Sequence, residues 1–370
     1  MKVFILGSYG PSLVNFRGDM IKSMVENGHE VVACAPDEMG DIEYQLSKMG
    51  ARYVPINMSR TGMNPFKDIV LFKEIMKKIK SEKPDVFLSY TIKPNIYGTL
   101  AAYKSGVENI YGLMTGAGSA IRGNTLKMRI IQMGLVPLYR LAFKRCSALL
   151  FLNADDLELF KSKRIIDEQE VIVIGSSGVN LTLFNKRPLR NQDTFLFIAR
   201  LIKDKGINEF LKAATIAKEK RPRMKFKILG PFDKNPTAIT FNDLKHWIDR
   251  GTIDYLGETT DVRPFIEDSF VVVLPSYHEG QGRVLVEAMA MGRATVATDV
   301  PGCRQTIQDG ETGFLVPAKS SVELAERMIF MYDNPEITAE MAERGYERAV
   351  DKFDVEKINN VILTVMKLKN

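Results

Sequence analysis

The stretch FVVVLPSYHEGQGRVLVEAMAMGRATVATD, residues 270–299, contains one full repeat of a pattern that recurs along the chain. An apolar run (270–275) precedes a glycine loop, an amphipathic segment that begins near Gly282, and a second apolar run (294–299). Apolar runs without alternating polar residues are typical of parallel strands that are covered on both faces. The stretch therefore predicts a strand, a helix and a second, parallel strand.

Both halves of the chain show this alternation. The predicted strands of the first half are 2–6, 30–34, 85–89, 110–114, 148–152 and 171–174, and its predicted helices are 14–27, 67–81 and 94–104. The predicted strands of the second half are 194–199, 225–230, 253–257, 270–275, 294–299 and 313–317. Strands that alternate with helices imply βαβ units, so we predict an α/β protein with two doubly wound, Rossmann-like domains facing a cleft.

A polar segment that carries glycine and proline, 176–193, marks the predicted domain boundary. We assign residues 1–185 to the first domain and 186–353 to the second. Residues 354–370 read as an amphipathic helix whose packing partner the sequence does not give.

The composition of the 370 residues, with 45% apolar and 26% charged side chains, is that of a soluble globular protein. The three cysteines have neither paired nor metal-site spacing, which favours a reducing compartment. The N-terminal apolar run spans only residues 3–6, far short of a signal peptide, and no stretch is long enough to span a membrane. We therefore expect a cytoplasmic protein.

A basic window, residues 109–154, contains no acidic residue. Its cations are Arg122, Lys127, Arg129, Arg140, Lys144 and Arg145. One interpretation is a core helix with a solvated basic rim. The other is an amphipathic patch that rests on anionic lipid, which would make the protein peripheral on the inner face of the membrane. Nucleic acid is disfavoured because no aromatic residues interleave with the cations in a recognition motif.

Two carboxylates flank the predicted start of a helix in HEGQGRVLVE. Glu279 follows a strand directly, and Glu287 lies about one and a half turns into the helix. The free N–H groups at a helix start form an anion site suited to phosphate, whereas carboxylates suit the vicinal hydroxyls of sugars. This pattern predicts one acid for a sugar and one for a ribose, with a diphosphate between them. The alternatives are a solvated loop acid at Glu279 and an i,i+4 ion pair between Arg283 and Glu287.

Two cations follow the first strand of the second half, in FIARLIKDKGI (197–207). Arg200 ends the strand, and Lys205 precedes a glycine and a helix. At the carboxyl end of a strand, the two could neutralise a diphosphate leaving group. The alternative is a basic loop exposed to solvent.

These motifs resemble a known family. The Arg-x4-Lys of RLIKDKG and the Glu-x7-Glu of HEGQGRVLVE, followed by AMAMGRATVATDVPGC, resemble the donor domain of family 4 retaining glycosyltransferases of the GT-B fold. VFILGSYGPSLVNFRGDMIKSMVENGHEVV resembles the first βαβ unit of their acceptor domain. TDVPGCRQTI and residues 89–118 are most similar to bacterial enzymes that build polyprenyl-diphosphate-linked oligosaccharides, the PglA-type N-acetylgalactosaminyltransferases.

The resemblance implies roles for individual residues. Arg200 and Lys205 would bind the donor diphosphate, and Glu279 would contact the transferred sugar. The implied donor-binding residues are Gly10, Gly280, Gln281, Gly282, Arg283, Val284 and Glu287, and the implied acceptor-side residues are Asn15, Lys93, Asn95, Thr115 and Gly116. Many family members have a histidine near the anomeric centre, but the segment MTGAGSA lacks one. Thr115, Gly116 or a nearby backbone carbonyl would take that place.

The implied reaction moves a sugar, an N-acetylhexosamine, from a UDP-sugar donor to a lipid-linked, polyprenyl-diphosphate saccharide acceptor. It would retain the anomeric configuration and need no cofactor. Because no Asp-x-Asp stretch occurs, we expect no metal. GSYGPS does not fit a dinucleotide fingerprint. The alternatives are transfer to a soluble acceptor, a UDP-N-acetylglucosamine 2-epimerase, and a protein without activity that acts as a nucleotide-sugar sensor or a scaffold.

Overall fold

The computed structural model describes residues 1–37, 40–59, 64–167, 169–233, 235 and 237–369. The chain divides into unit 1 (Met1–Ser177 with Val355–Asn370) and unit 2 (Gly178–Asp354). The boundary lies earlier than the predicted 185/186. The reason is that Val179 donates a backbone hydrogen bond of 2.7 Å to the carbonyl of Phe353, and Phe184 is buried in the core of unit 2.

Unit 1 contains the first half of the predicted pattern. Its strands are β1 (Lys2–Leu6), β2 (Glu30–Ala35), β3 (Arg52–Pro55), β4 (Val86–Tyr90), β5 (Asn109–Met114), β6 (Ala148–Phe151) and β7 (Glu170–Val173). Its helices are α1 (Gly10–Asn15), α2 (Gly18–Glu26), α3 (Asp41–Lys48), α4 (Pro65–Glu82), α5 (Thr99–Lys104), α6 (Gly118–Arg122), α7 (Leu126–Phe143) and α8 (Ala154–Ser162). A π-helical turn, Pro94–Gly98, leads into α5.

Unit 2 repeats the scheme. Its strands are β8 (Thr194–Ile198), β9 (Lys225–Leu229), β10 (Asp254–Tyr255), β11 (Val271–Leu274), β12 (Ala294–Thr298) and β13 (Gly313–Val316). Its helices are α9 (Ile207–Lys220), α10 (Phe241–Asp249), α11 (Arg263–Glu267), α12 (Arg283–Ala290), α13 (Pro301–Thr306), α14 (Ser321–Asp333) and α15 (Pro335–Lys352). The last helix, α16 (Val355–Val365), belongs to unit 1.

Each unit is built on a parallel sheet. Within the described residues the strand orders are β3-β2-β1-β4-β5-β6-β7 in unit 1 and β10-β9-β8-β11-β12-β13 in unit 2. Successive side chains of β1 enter different cores, since Val3 and Ile5 belong to one buried cluster and Phe4 and Leu6 to another. The sheets are thus covered on both faces, which confirms the predicted α/β, doubly wound class.

Two details differ from the sequence prediction, and a third gives the packing partner of the last helix, which the sequence had left open. The helix predicted at 14–27 is two helices, α1 and α2, with a break at Phe16 and Arg17. Strand β3 was not predicted, because it is a short edge strand without an apolar run. Helix α16 packs on α2 of unit 1, where the carbonyl of Leu368 lies 2.7 Å from Nε2 of His29.

Candidate functional site

The candidate site of unit 2 lies where its strand order reverses. Strands β8 and β11 are neighbours, while β9 continues the sheet on one side and β12 on the other. Loops that leave the carboxyl ends of such a strand pair diverge and open a crevice, which is where ligands bind in doubly wound sheets. Lys205 and Glu279 lie on these two loops, and Lys205 Nζ is 2.5 Å from Glu279 Oε1. Two residues that the sequence assigned to one pocket are therefore in contact.

A close backbone approach sets this pairing. Gly206 has φ +73°, and a Cβ atom at this residue would lie 1.9 Å from the carbonyl oxygen of Pro275. The amide of Tyr277 donates a 2.9 Å hydrogen bond to the carbonyl of Asp204. Since only glycine fits both the conformation and the space, Gly206 brings the loop of Lys205 onto the loop of Glu279.

Replacing Gly206 with alanine is expected to lower the free energy of unfolding by about 2–4 kcal/mol, because strain at positive φ adds to a backbone clash. Urea unfolding measures the loss. Gly251→Ala is the matched control, since Gly251 also has positive φ (+63°) but a Cβ there meets nothing within 4 Å. Equal losses in the two variants would show that the approach to Pro275 contributes nothing.

The loop 279–282 rests on helix α13. A Cβ atom at Gly302 would lie 2.6 Å from the amide nitrogen of Gln281 and 2.7 Å from the carbonyl oxygen of Glu279. Thr306 donates a 2.9 Å hydrogen bond from Oγ1 to the carbonyl of Gln281. Gly302, the glycine of DVPGC, therefore allows α13 to pack directly against the backbone of this loop. The sequence analysis did not assign this role to it.

Gly282, with φ +67°, is the residue before α12. The first turn of this eight-residue helix therefore directly follows the loop 279–282. Gly280, Gln281, Arg283 and Val284 surround this helix start, the place that the sequence predicted for a diphosphate. The aligned peptide dipoles of a helix favour an anion at its first turn.

Glu287 is buried on α12, and its Oε1 accepts a 2.7 Å hydrogen bond from Nε of Arg283. Burial raises the pKa of this carboxyl, and the charge of Arg283 opposes that rise. The i,i+4 pair named as the alternative is thus formed. The ribose contact predicted for Glu287 remains a prediction.

Arg200 lies just after β8, and its Nη1 is 2.7 Å from Oδ2 of Asp233, on the loop after β9. Its side chain is half exposed. The sequence analysis did not single out Asp233, because the pairing depends on β8 and β9 being neighbours in the sheet. Arg200 therefore lies at the same carboxyl edge as Lys205 and Glu279, but its ion-pair partner is a different acid.

In unit 1 the strand order reverses between β1 and β4. Thr91, after β4, donates a 2.8 Å hydrogen bond to Ser8, after β1, and has a left-handed backbone with φ +74°. The amide of Gly10, an implied donor-binding residue, donates a hydrogen bond to the Asp37 carboxylate, so this N–H already binds an anionic group.

The predicted acceptor-side residues differ in where the structure places them. Thr115 and Gly116 directly follow β5 at the carboxyl edge of the sheet, and Asn15 is exposed at the end of α1. Lys93 pairs with Asp68 at 2.9 Å. Asn95 corrects a prediction: it is fully buried, it accepts a hydrogen bond from Ser89 and donates one to the carbonyl of Leu113, so it supports the sheet and does not face an acceptor.

The loop that holds Thr115 and Gly116 is fixed from α8. The buried carboxylate of Asp156 accepts a 3.2 Å hydrogen bond from the amide of Ala117 and an ion pair from Arg122. Arg122 of the basic window is therefore structural. So is Arg140, whose Nε donates to the carbonyl of Arg164 at 2.7 Å.

Two family models match the chain. Residues 181–348 match glycosyl transferases group 1, and residues 12–153 match the glycosyl transferase 4-like family. Together with the two parallel sheets, these matches define the class: the chain belongs to the GT-B glycosyltransferases.

One relative matches nearly the whole chain. The N,N'-diacetylbacillosaminyl-diphospho-undecaprenol α-1,3-N-acetylgalactosaminyltransferase of Campylobacter jejuni is 26% identical over 95% of this chain and 94% of its own. The capsular polysaccharide biosynthesis glycosyltransferase CapM of Staphylococcus aureus is 24% identical over 78% of this chain and 79% of its own. The crystal structure of Anabaena Alr3699/HepE in complex with UDP shares the fold, with a TM-score of 0.79 and 19% identity over 99% of this chain and 100% of that one.

Proposed function

We propose that the protein transfers an N-acetylhexosamine from a UDP-sugar to a lipid-linked, polyprenyl-diphosphate saccharide in bacterial glycan biosynthesis. The observation that carries the proposal is the contact between Lys205 and Glu279 where the sheet order reverses. A cation that can bind a leaving diphosphate and a carboxylate that can bind sugar hydroxyls lie side by side at the carboxyl edge. The Campylobacter relative, whose name specifies both a diphospho-undecaprenol acceptor and an N-acetylgalactosaminyl group, supports this choice of substrates.

The proposed reaction retains the anomeric configuration. The bond between the anomeric carbon and the UDP oxygen breaks, and its electron pair stays on the diphosphate. The acceptor hydroxyl then forms the new bond from the same face, and its proton passes to the departing phosphate oxygen. Lys205 and the start of α12 stabilise the negative charge as it develops, the largest contribution that a preorganised site makes. Arg200 would join them by exchanging Asp233 for the diphosphate.

We also propose that transfer needs neither metal nor cofactor. In this proposal side-chain cations and a helix start neutralise the diphosphate. Transfer should therefore continue at an unchanged rate in excess EDTA, whereas a loss that is restored by Mg²⁺ or Mn²⁺ would contradict the proposal.

The nucleotide is tested by thermal unfolding. UDP at about 100 times its Kd is expected to add about 2.7 kcal/mol to the stability of the protein, which corresponds to a rise in Tm of several degrees. GDP and ADP at the same concentration are expected to give little change. Equal shifts with all three nucleotides, or none with UDP, would contradict a UDP-sugar donor.

The epimerase alternative differs in its product. Incubation with donor alone leaves an epimerised but intact nucleotide sugar, while a transferase joins the sugar to an added acceptor and releases UDP. We propose the transferase because the paired acid and cation fit a transferred sugar and its leaving group. Mass spectrometry of the products distinguishes the two.

An exposed apolar surface in unit 1 suits contact with a membrane. It consists of Phe66, Ile69 and Val70 of α4 and Leu126, Ile130 and Met133 of α7, all more than half exposed. Lys127 and Arg129 are exposed in the same stretch of α7, and Lys144 is exposed at the end of that helix. No helix in the described residues is long and apolar enough to cross a bilayer. We propose that the protein is cytoplasmic and binds the membrane surface through this patch.

Flotation with vesicles tests this contact. Three cations are expected to contribute about 3 kcal/mol of binding to anionic vesicles at low salt. Binding should weaken at high salt and in neutral vesicles, because exposed charges are screened. Flotation that is equal with neutral and anionic vesicles would contradict the proposal.

A further inference from the structure

Tyr277 joins the two loops of the candidate site at a second point. Its hydroxyl donates to the carboxylate of Glu209 and lies 2.8 Å from each of the two oxygens. Glu209 is in the first turn of α9, the helix that directly follows Lys205 and Gly206, and Tyr277 lies two residues before Glu279. The same two segments are therefore linked twice, by Lys205 with Glu279 and by Glu209 with Tyr277.

The surroundings of Tyr277 keep its side chain in place. Glu209 lies where the dipole of α9 favours a carboxylate. Burial raises the pKa of Tyr277, and the hydrogen bond to Glu209 adds to the rise, so the hydroxyl keeps its proton at neutral pH and remains a donor. Lys319, in the segment after β13, places its Nζ 5.2 Å from the centroid of the ring, a cation–π contact. The side chain is thus held at its ring as well as at its hydroxyl.

The two links respond differently to a bound donor. In the proposed reaction Lys205 contacts the diphosphate and Glu279 contacts the hydroxyls of the sugar, so their ion pair is exchanged for contacts with the donor. That reaction assigns neither Tyr277 nor Glu209 to the donor. Their hydrogen bond therefore persists, and it holds the segment before Glu279 against α9 while this carboxylate contacts the sugar.

The start of α12, which the proposed function assigns to the diphosphate, is held by other residues. Thr306 of α13 donates a 2.9 Å hydrogen bond to the carbonyl of Gln281, which precedes α12 by two residues. Lys205 is held by its own place before α9. Loss of the hydroxyl of Tyr277 should therefore displace the carboxylate of Glu279 and leave the diphosphate site in place.

We propose that Tyr277 is a positioning residue for sugar transfer, which sets the place of the Glu279 carboxylate through the hydrogen bond to Glu209. The inference rests on the proposed function, because that function assigns Glu279 to the transferred sugar. It adds that the rate of transfer depends on a hydroxyl that is assigned to neither substrate.

Tyr277→Phe removes the hydroxyl and keeps the ring. It is expected to lower kcat for transfer from a UDP-sugar by at least about tenfold, because a small displacement of a group that orients the substrate slows the reaction strongly. The Kd of UDP, which lacks the transferred sugar, should change by less than about twofold, as expected for independent sites. Steady-state kinetics with a lipid-linked acceptor and titration calorimetry with UDP measure the two quantities.

Tyr346→Phe is the matched control. Tyr346 is a half-buried tyrosine on α15 of unit 2, and its ring also contacts a lysine, since Nζ of Lys186 lies 4.6 Å from the centroid. Its substitution should change kcat by less than about twofold, because it lies outside both loops of the site.

Variants of Glu209 test the hydrogen bond from its other side. Glu209→Ala should lower kcat as much as Tyr277→Phe does, and combining the two should lower it no further, because both remove the same bond. Glu209→Gln keeps an oxygen that accepts from the hydroxyl of Tyr277, so it should retain more activity than Glu209→Ala.

A smaller loss of kcat in Tyr277→Phe would overturn the positioning role. So would an equal loss of UDP affinity, which a general loosening of the loops produces. The proposed function is judged separately: if the unchanged protein transfers no sugar, or if Lys205→Met leaves kcat unchanged, it fails and this inference fails with it. If Lys205→Met abolishes transfer and Tyr277→Phe does not lower it, only the positioning role is wrong.

Discussion

Lys205→Met is expected to lower kcat for sugar transfer by about 10²–10³-fold, the usual cost of removing one preorganised group that stabilises developing charge. Lys205 lies against Glu279 at the carboxyl edge between β8 and β11. Its interaction with the diphosphate strengthens as the bond to the sugar breaks, so kcat and kcat/KM should fall together. Steady-state kinetics with a UDP-sugar and a lipid-linked acceptor measure the change.

Lys203→Met is the matched control, because Lys203 is exposed in the same turn. It should change kcat less than about threefold, as expected for an exposed charge that is screened by solvent and salt. Glu279→Gln is expected to lower kcat as well, since an amide accepts hydrogen bonds from sugar hydroxyls more weakly than a carboxylate does.

A purely structural ion pair would give a different result. Lys205 and Glu279 are partly exposed, with side-chain exposures of 23% and 12%. As a structural pair alone they would affect the free energy of unfolding and leave kcat near its original value. Wild-type kcat in Lys205→Met would therefore remove the assignment of this site, whatever happens to stability.

Arg293→Met is expected to lower the free energy of unfolding of unit 2 by about 3–5 kcal/mol, the cost of breaking a buried charged network. Arg293 is fully buried, and burial lowers its pKa. Its guanidinium donates to the carbonyls of Arg187, Pro188, Ile266, Glu267, Met291 and Gly292. Methionine has a similar volume but leaves these carbonyls buried without this donor.

Urea unfolding measures this loss, with Arg250→Met as the control. Arg250 is exposed, so its substitution should change the free energy of unfolding by less than about 0.5 kcal/mol. A loss below about 1 kcal/mol in Arg293→Met would mean that water or a shifted backbone replaces the guanidinium. Activity should survive in the folded fraction, because Arg293 contacts the segment 187–188 and not the loop of Glu279.

The fold was largely predictable because its cause is local. Strands β8 and β11 are apolar runs bounded by loops, and a strand covered on both faces requires such a run wherever it occurs. An edge strand need not be apolar throughout, and the prediction therefore missed β3, an edge strand that begins with an exposed arginine. The break between α1 and α2 was missed because apolar periodicity continues across it.

The candidate site was predictable only in part. Lys205 and Glu279 were recognised by their places after strands, and a parallel sheet brings the ends of its strands to one edge. Asp233 and Gly302 were not, since their parts depend on β8 lying beside β9 and on α13 touching the loop at 279–281. Asn95 was assigned to the acceptor because the sequence does not show that its side chain is turned into the core.

By itself the sequence determined the class of fold, the repeat of strands and helices, and the residue types available for a diphosphate and a sugar, because hydrophobic pattern and chemical type are properties of short segments. Only the tertiary structure decided which acid each cation meets: Glu279 for Lys205 and Asp233 for Arg200. Strand order and close approaches such as that of Gly206 to Pro275 fix these distances, and both depend on residues far apart in the chain.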